Sequence, residues 1–531
     1  MPTLEWIGKD KVVNHHQEVP YRVLERQYSY DEAGQHAEDN GSENMIIHGD
    51  NLEALKALLP RYEGKVKCIY IDPPYNTGNE GWVYNDNVND PKIKRWLGEV
   101  VGKEGEDLSR HDKWLCMMYP RLKLLQRLLA EDGAIFISID DVEFYNLRLI
   151  CNEIFGDHNF IATIIWRKNY APKGTAKHFS EDHDYILVYG KRAEQWIPHK
   201  MPRTEKQNKA YKNPDNDPRG LWRPNNLAAR NFYSKGTYSI TCPSGRVIKG
   251  PPAGSYWRVS EEKFWEMDRD RRIWWGKGGN NVPAPKIFLS EVADGVVPQT
   301  FWSYEEVGHT QDAKKEIKTI FTGETPFDTP KPVRLIERIL QIASDPDSII
   351  LDSFAGSGTT AHAVLNMNKA DGGNRKFILV EMMDYADSIT AERVKRVIDG
   401  YGEDKKAVEG TGGNFSYYEL GPVLLLPDGN LNEEVGPQKI REYVYYMETK
   451  EPLPAEQPTD EPYFMGLCRN TAYYFYYERE SVTTLDHAFL ATVQTKAEGY
   501  TIYADLCAIP QETLRKHNIT FKKIPRDIAR L

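Results

Sequence analysis

No apolar run in this chain of 531 residues approaches the roughly 20 residues that a membrane-spanning helix needs. The N-terminus, MPTLEWIGKDKVVNHH, carries early charges and lacks an apolar core followed by small residues, so it does not read as a secretory signal. A cytoplasmic protein without a membrane partner is the expectation. Cysteine is scarce: Cys68, Cys116, Cys151, Cys242, Cys468 and Cys507 are scattered, and none forms a CxxC pair. That excludes the usual zinc spacings and a disulfide framework, leaving reduced, mostly buried thiols and no metal site. Internal repeats and low-complexity tracts are also absent.

The net charge of -10 argues at first against a polyanionic partner. The distribution reverses this. Residues 191–290 hold 20 lysines and arginines against 9 acids, a local charge of +11 that leaves -21 for the rest. The same stretch holds Trp196, Trp222, Trp257, Trp265, Trp274 and Trp275, six of the chain's 12 tryptophans. Basic and aromatic residues interleaved suit a surface that grips phosphate and fills the space of a displaced base. They equally suit a small domain with a tryptophan core and a solvated basic rim, and both readings stand together.

With 40% hydrophobic and 27% charged residues the chain is an ordinary globular protein, long enough for two to four compact units. The first 43 residues are polar and aperiodic and read as an N-terminal arm. NMIIHGDNLEALKALLP then starts a pattern of short apolar strand, Gly-Asp turn and amphipathic helix. KVKCIYID reads as a buried parallel strand that stops at Pro73-Pro74. A helix is expected over Lys113 to Ala130, followed by the strand AIFISID, the helix YNLRLICNEIFG and the apolar segments FIATIIW and YILVYG. The alternation fails between about Lys191 and Thr310, where Pro, Gly, Asn and Trp become frequent. It resumes with a helix at Lys331 to Ala343, the strand SIILDSF, a glycine turn, a helix from Thr359 and the strand KFILVE. This predicts an α/β fold with a doubly wound, mostly parallel sheet, completed from both sides of an insertion. The expected boundaries are an arm over 1–43, one half of the sheet over 44–190, the inserted domain over 191–320, the second half over 321–400, and a C-terminal α+β domain over 401–531. The Pro- and Glu-rich stretch 448–462 reads as a linker within the last of these.

In LDSFAGSGTTAHAVL, Gly356 and Gly358 allow a tight turn and close backbone approach, and the following helix offers free N–H groups to an anion or carboxylate. The turn is neither a Walker loop nor a full GxGxxG, and a ligand-free helix start is the alternative. Glu381 ends the next strand, where an acid in a doubly wound sheet accepts hydrogen bonds from ribose hydroxyls. Asp72-Pro73-Pro74-Tyr75 is more specific. Two prolines fix two φ angles and remove two donors, leaving a stiff loop with available carbonyls. A carboxylate and a rigid carbonyl can accept the two protons of an exocyclic amino group, and Tyr75 can stack on the base that bears it. A Pro-Pro turn capping a strand is the plain alternative.

Together these residues resemble the amino-methyltransferases of DNA, in which a DPPY loop and a glycine-rich cofactor loop occupy adjacent strand ends. Here the first precedes the second by 280 residues across an insertion, an order that resembles the β class. The resemblance covers most of Asn44 to Arg396. DPPYNTG with the nearby YNDN, WLCMMYPRLKLLQRLLAEDGAIFISIDD and HDYILVYG look like family blocks. The resemblance implies the S-adenosylmethionine-dependent methyltransferase fold, with the insertion as target-recognition domain and S-adenosyl-L-methionine as cofactor. It implies Asp72, Pro73, Pro74 and Tyr75 as catalytic residues, and Asp352, Phe354, Gly356 and Gly358 beside the cofactor. It also implies Glu381 at the ribose and Asp50, in HGDNL, near the adenine. Lys331, in FDTPKP, would neutralise the methionine carboxylate, or is a solvated charge at a helix start. An aspartate at the loop start is typical of adenine N6 enzymes, with cytosine N4 as the rival.

The C-terminal extension and its KKIPRDI ending look like the modification subunit of a type III restriction-modification system. That implies double-stranded DNA as substrate, a homodimer, a separate helicase-nuclease partner and a prokaryotic, DNA-associated setting. The chain is short for that group, so a solitary methyltransferase remains an alternative, and a DNA-recognition subunit without turnover is a more distant one.

Overall fold

The computed structural model describes residues 3–77, 95, 98–99, 110–292, 295–455 and 460–526. They fall into two compact units, one over residues up to 199 and from 299 onward, the other over 200–298. The YNDN segment and the end of KKIPRDI lie outside the described residues.

The larger unit is built on an eleven-stranded sheet. Its strands are β1 (Arg22–Asp31), β2 (Gly34–His36), β3 (Met45–His48), β4 (Val66–Ile71), β5 (Leu129–Ile139), β6 (Phe160–Arg167), β7 (His183–Gly190), β8 (Phe301–Trp302), β9 (Ile349–Asp352), β10 (Lys376–Glu381) and β11 (Phe415–Val423). The order is β8-β6-β7-β5-β4-β9-β10-β3-β11-β1-β2. The six strands from β5 to β11 in that order are parallel, whereas β7 and β1 run antiparallel to their neighbours. This is the expected α/β sheet, with antiparallel additions at both ends.

Both faces are covered because every second residue of the central strands faces the same way. Ile69, Ile71, Leu351, Ile378 and Val380 share a core with Leu55, Leu59, Met118, Leu122 and Leu125 of the Asn51–Tyr62 and Arg110–Leu128 helices. Their neighbours Cys68, Tyr70, Ile350, Phe377 and Leu379 are equally buried on the opposite face. There the Val333–Ala343 helix packs on β4 and β5, and the Thr359–Asp371 helix packs on β10. From β4 the chain proceeds to β5 on one side, and from β9 to β10 on the other. The carboxyl ends of the adjacent β4 and β9 therefore flank a topological switch point, the place where such sheets bind ligands.

Three sequence expectations are revised. Residues 1–43 are no free arm, since β1 and β2 extend the sheet. Their signal was weak because β1 is held by ring stacking, Tyr28 on Tyr417 at 5.0 Å and Tyr30 on Phe415 at 5.7 Å, not by a run of aliphatics. The insertion forms its compact unit over 200–298, because β8 joins the main sheet through β6 and the Thr310–Ile320 helix packs on the Glu392–Asp399 helix. At the C-terminal side β11 belongs to the main sheet. The remainder forms a separate four-stranded sheet of Phe464–Cys468, Thr471–Phe475, Gly499–Ala504 and Ile519–Lys523. The presumed linker is helical up to Thr449, and at its far end Glu461 is buried and accepts from Gln494 N at 2.6 Å and Tyr474 Oη at 2.8 Å.

The smaller unit packs short strands around Leu227, Ile240, Trp257, Phe264, Ile273 and Trp275. Trp222 is also buried, and it donates to Asp215 at 2.8 Å. The tryptophans of this region thus largely serve as core. Lys286 is buried between Asp215 and Asp217, a charge pairing that a small core needs if it is to contain an ammonium.

Asn44 joins three strands of the larger unit. Its side chain accepts from Phe377 N at 3.0 Å and donates to the Asn414 carbonyl at 2.8 Å, and its own carbonyl accepts from Ser416 N at 2.9 Å. Asn44→Leu would leave the buried Phe377 N–H and the half-buried Asn414 carbonyl without these partners, at a cost of about 1–3 kcal/mol. We expect a lower urea midpoint at unchanged slope. An unchanged midpoint would show that this seam carries no stability.

Candidate active site

The site starts where β4 must stop. After Ile71 come Asp72 and two prolines, and without N–H groups the ladder cannot continue. The loop is then held from behind. Trp114 donates its indole N–H to the Pro74 carbonyl at 2.7 Å. Asn76 takes a left-handed φ of 60°, tolerable for asparagine. Its amide donates to the fully buried Glu143 at 2.5 Å and to the Arg110 carbonyl at 3.2 Å. Glu143 also bonds His111 Nδ1 at 2.7 Å and Asn146 at 2.8 Å, so the turn is anchored to two helices.

The glycine loop after β9 folds on itself in the same manner. Asp352 accepts from Phe354 N at 3.0 Å and Thr360 Oγ1 at 2.6 Å. Gly356 and Gly358 have φ of 50° and 80°, and a Cβ on Gly358 would lie 3.0 Å from the Thr390 carbonyl. Glycine is required there. Glu381 accepts from Gly356 N at 2.8 Å and Met383 N at 2.9 Å, which ties the loop to the end of β10. The Thr359–Asp371 helix starts at Gly358 with no side-chain cap, so its first N–H groups are available to a ligand. Ser353 Oγ is buried and without a hydrogen-bond partner among the described residues.

Two cavities open at these strand ends. One, of about 420 Å³, is lined by Asp72, Pro73, Tyr75, Trp166, Lys168 and Asp184 among others. The other is a narrow cleft of about 20 Å³ lined by Tyr70, Phe327, Asp352, Phe354, Gly356 and Thr360 among others. Asp72, Thr329, Pro330 and Lys331 line both. Lys331 Nζ pairs with Asp72 Oδ2 and lies 5.1 Å from the centre of the Tyr75 ring. Its side chain is 13% exposed, so it is not a solvated helix-start charge.

Buried acids surround the two cavities. Burial pushes Asp352 up to about 7, with Asp72 and Glu381 adding to the rise against the hydrogen bonds from Thr360 and Phe354. Burial likewise lifts Glu381 to about 7, against its backbone N–H bonds. Asp184, almost fully enclosed, is raised by burial and lowered by Lys168 and Lys331. The Tyr75 hydroxyl is held well above its ordinary range by burial and by Asp72, and it has no hydrogen-bond partner among the described residues.

The expected site residues are therefore brought together, with differences in depth. Asp352, Phe354, Gly356 and Lys331 line the cleft, whereas Gly358 and Glu381 brace its loop from behind. Asp50 caps the Asn51–Tyr62 helix, accepting from Leu52 N at 2.9 Å, and pairs with the buried Arg121 at 3.2 Å. Sequence reasoning passed over Trp114, Glu143, Lys168 and Asp184. Asp184 did carry a signal, a charge inside the otherwise apolar strand HDYILVYG.

A family model described as DNA methylase matches residues 66–392, which contain both loops and the insertion between them. The chain belongs to the DNA methylase family. It is 35% identical over 424 residues to the Mod subunit of the type III restriction-modification enzyme StyLTI of Salmonella typhimurium, covering 74% of this chain and 62% of that one. It is 32% identical over 366 residues to the type II methyltransferase M.KpnI of Klebsiella pneumoniae, covering 65% and 81%. Among solved structures, the M1.HpyAVI–SAM complex aligns over 66% of this chain and 98–99% of its own, counting its ligand-free form, with 16% identity and a TM-score of 0.32 for the complex. The chain thus spans less than two thirds of the type III relative.

The raised affinity of Asp352 for its proton has a consequence for stability. Between its ordinary 3.8 and about 7, the folded protein keeps that proton while the unfolded chain has lost it. Raising the pH through this window therefore favours unfolding, with the full cost reached above about 7. Asp352→Asn stays neutral throughout, so its melting temperature should gain on that of the wild type from pH 5 to pH 8. A constant difference across that range would contradict the assignment.

Proposed function

We propose that this methylase transfers a methyl group from S-adenosyl-L-methionine to the N6 amino group of adenine in duplex DNA, after extruding the base. The observation that carries this reading is the wall shared by the two cavities. A carboxylate and a proline-rich loop stand between a space large enough for a base and a glycine-loop cleft at the switch point.

The residues of the cleft suit the cofactor. Uncapped helix N–H groups and the Lys331 ammonium suit its carboxylate, and Phe354 and Phe327 its apolar parts, while Glu381, behind the glycine loop, would reach its sugar hydroxyls only once the loop shifts. The cleft is narrow, so binding requires these side chains to spread. Bound there, the cofactor supplies an electrophilic methyl group on a sulfonium.

The chain's own residues hold the base. Tyr75 offers its ring as a stacking surface, worth about 1–3 kcal/mol per base. Asp72 and the Pro73 carbonyl accept the two amino protons, which draws the nitrogen lone pair out of conjugation and aims it at the shared wall. Lys331 offsets the Asp72 charge and fixes its carboxylate. Trp114 and Glu143 keep the loop from yielding as the base enters. Asp72 takes up the proton that the amino nitrogen sheds on bonding to carbon, and proximity supplies much of the acceleration.

An aspartate at the loop start favours adenine over cytosine N4. The similarity to a type III Mod subunit supports a role as modification subunit, with DNA as substrate, a helicase-nuclease partner and assembly as a homodimer. Among the described residues no helix is long and apolar enough to cross a membrane, and no His/Cys/Asp/Glu group could hold a metal.

Base-resolved methylation mapping of DNA from cells with and without the gene should reveal N6-methyladenine in one sequence context. Asp72→Ala should lower the single-turnover rate at least about 1,000-fold and change cofactor affinity little, since it removes a hydrogen bond made to the reacting group. N4-methylcytosine would overturn the base assignment, and full turnover in Asp72→Ala would overturn the role of the loop.

A further inference from the structure

The base cavity contains a second ion pair that the mechanism above does not use. On β6 and β7 the register places Asp184 opposite Trp166, and Lys168, two residues beyond Trp166, emerges on the same face. Lys168 Nζ donates to Asp184 Oδ1 at 2.5 Å. The Asp184 side chain is 4% exposed and that of Lys168 25%, and both line the cavity with Asp72 and Tyr75. Trp166 is fully buried and spends its N–H on the Gly308 carbonyl at 3.0 Å, so it forms a wall and reads nothing.

A buried ion pair is a weak source of stability, because desolvation offsets much of the attraction. An ammonium has three N–H groups, and the bond to Asp184 uses one. Two remain for the cavity. A base seated by its amino group on Asp72 and Pro73 still carries ring nitrogens with in-plane lone pairs beside that group. An isolated ammonium facing a neutral base would be costly to desolvate, and Asp184 removes most of that cost by keeping the pair neutral.

We infer that Lys168, held in place by Asp184, donates a hydrogen bond to the ring nitrogen flanking the amino group of the extruded base, making the two a positioning pair for the target. This rests on the reading of the larger cavity as the base site. With Asp72 and Pro73 on the amino protons and Lys168 on the adjacent acceptor, the base is fixed in its plane. A base lacking either function would sit in the cavity out of line for reaction.

The test uses the full chain, S-adenosyl-L-methionine and duplexes in which the mapped target adenine is replaced by 1-deazaadenine or 7-deazaadenine. The wild type should lose about 10- to 100-fold in single-turnover rate on the analogue lacking the contacted nitrogen, and little on the other. Lys168→Met should lose a similar factor on adenine and nothing further on that analogue, with cofactor affinity retained. Lys168→Arg should recover part of the rate. Asp184→Asn, which keeps the lysine, should give a smaller loss confined to the same nitrogen and serves if Lys168→Met does not fold. Losses that multiply in Lys168→Met, or an unchanged rate on adenine, would overturn the proposal. A wild type that does not methylate the parent adenine duplex would refute the underlying reading, and the proposal with it, before any variant is made.

Discussion

The contact between Asp72 and Lys331 stands where two cavities share a wall, and the geometry of the site follows from what brings those residues there. Parallel strands β4 and β9 lie side by side, yet the chain leaves them toward opposite edges of the sheet, so their carboxyl ends flank a switch point. Two prolines end β4 at that edge and two glycines turn the chain after β9. Lys331 arrives from the segment before the Val333–Ala343 helix, tied to the glycine loop by a bond from Thr359 Oγ1 to its carbonyl at 3.4 Å. A lysine from the segment after the insertion thus holds the aspartate of the segment before it.

Burial around this contact sets its character. Asp352 and Glu381 end β9 and β10, and each is pushed up to about 7 by loss of solvent. Asp184, in the lining of the 420 Å³ cavity, is raised by burial as well. Four acids facing one edge would repel one another, and the structure offsets them with Lys331, Lys168 and the positive end of an uncapped helix. Such an arrangement costs stability and favours ligands that bring cationic or hydrogen-bond-donating groups, as an amino-bearing base and a sulfonium both do.

Much of this was legible in the residues, where the constraint is local. Proline without an N–H and glycine at positive φ mean the same thing in any fold, so the Asp72–Tyr75 loop and Gly356 and Gly358 could be read directly. Glu381 could be placed because a strand of fixed length ends at it. The partner of Lys331 lies 259 residues away in sequence, and only the sheet order makes them neighbours. Asp184 became a cavity residue through strand register, which no periodicity reveals. β1 was hidden because stacked tyrosines replace its aliphatics. The tryptophans of 200–298 admitted two readings from sequence, and Trp222, Trp257 and Trp275 follow the one that makes them core.

The central claim is that base and methyl donor meet across the wall formed by Asp72 and Lys331. Its most direct test is a structure of the chain with a non-reactive cofactor analogue and a duplex containing the mapped target. The account predicts the extruded base against Tyr75, with its amino nitrogen within hydrogen-bond reach of Asp72 and the Pro73 carbonyl, and the analogue in the glycine-loop cleft. A base bound elsewhere, or an analogue outside that cleft, would contradict it.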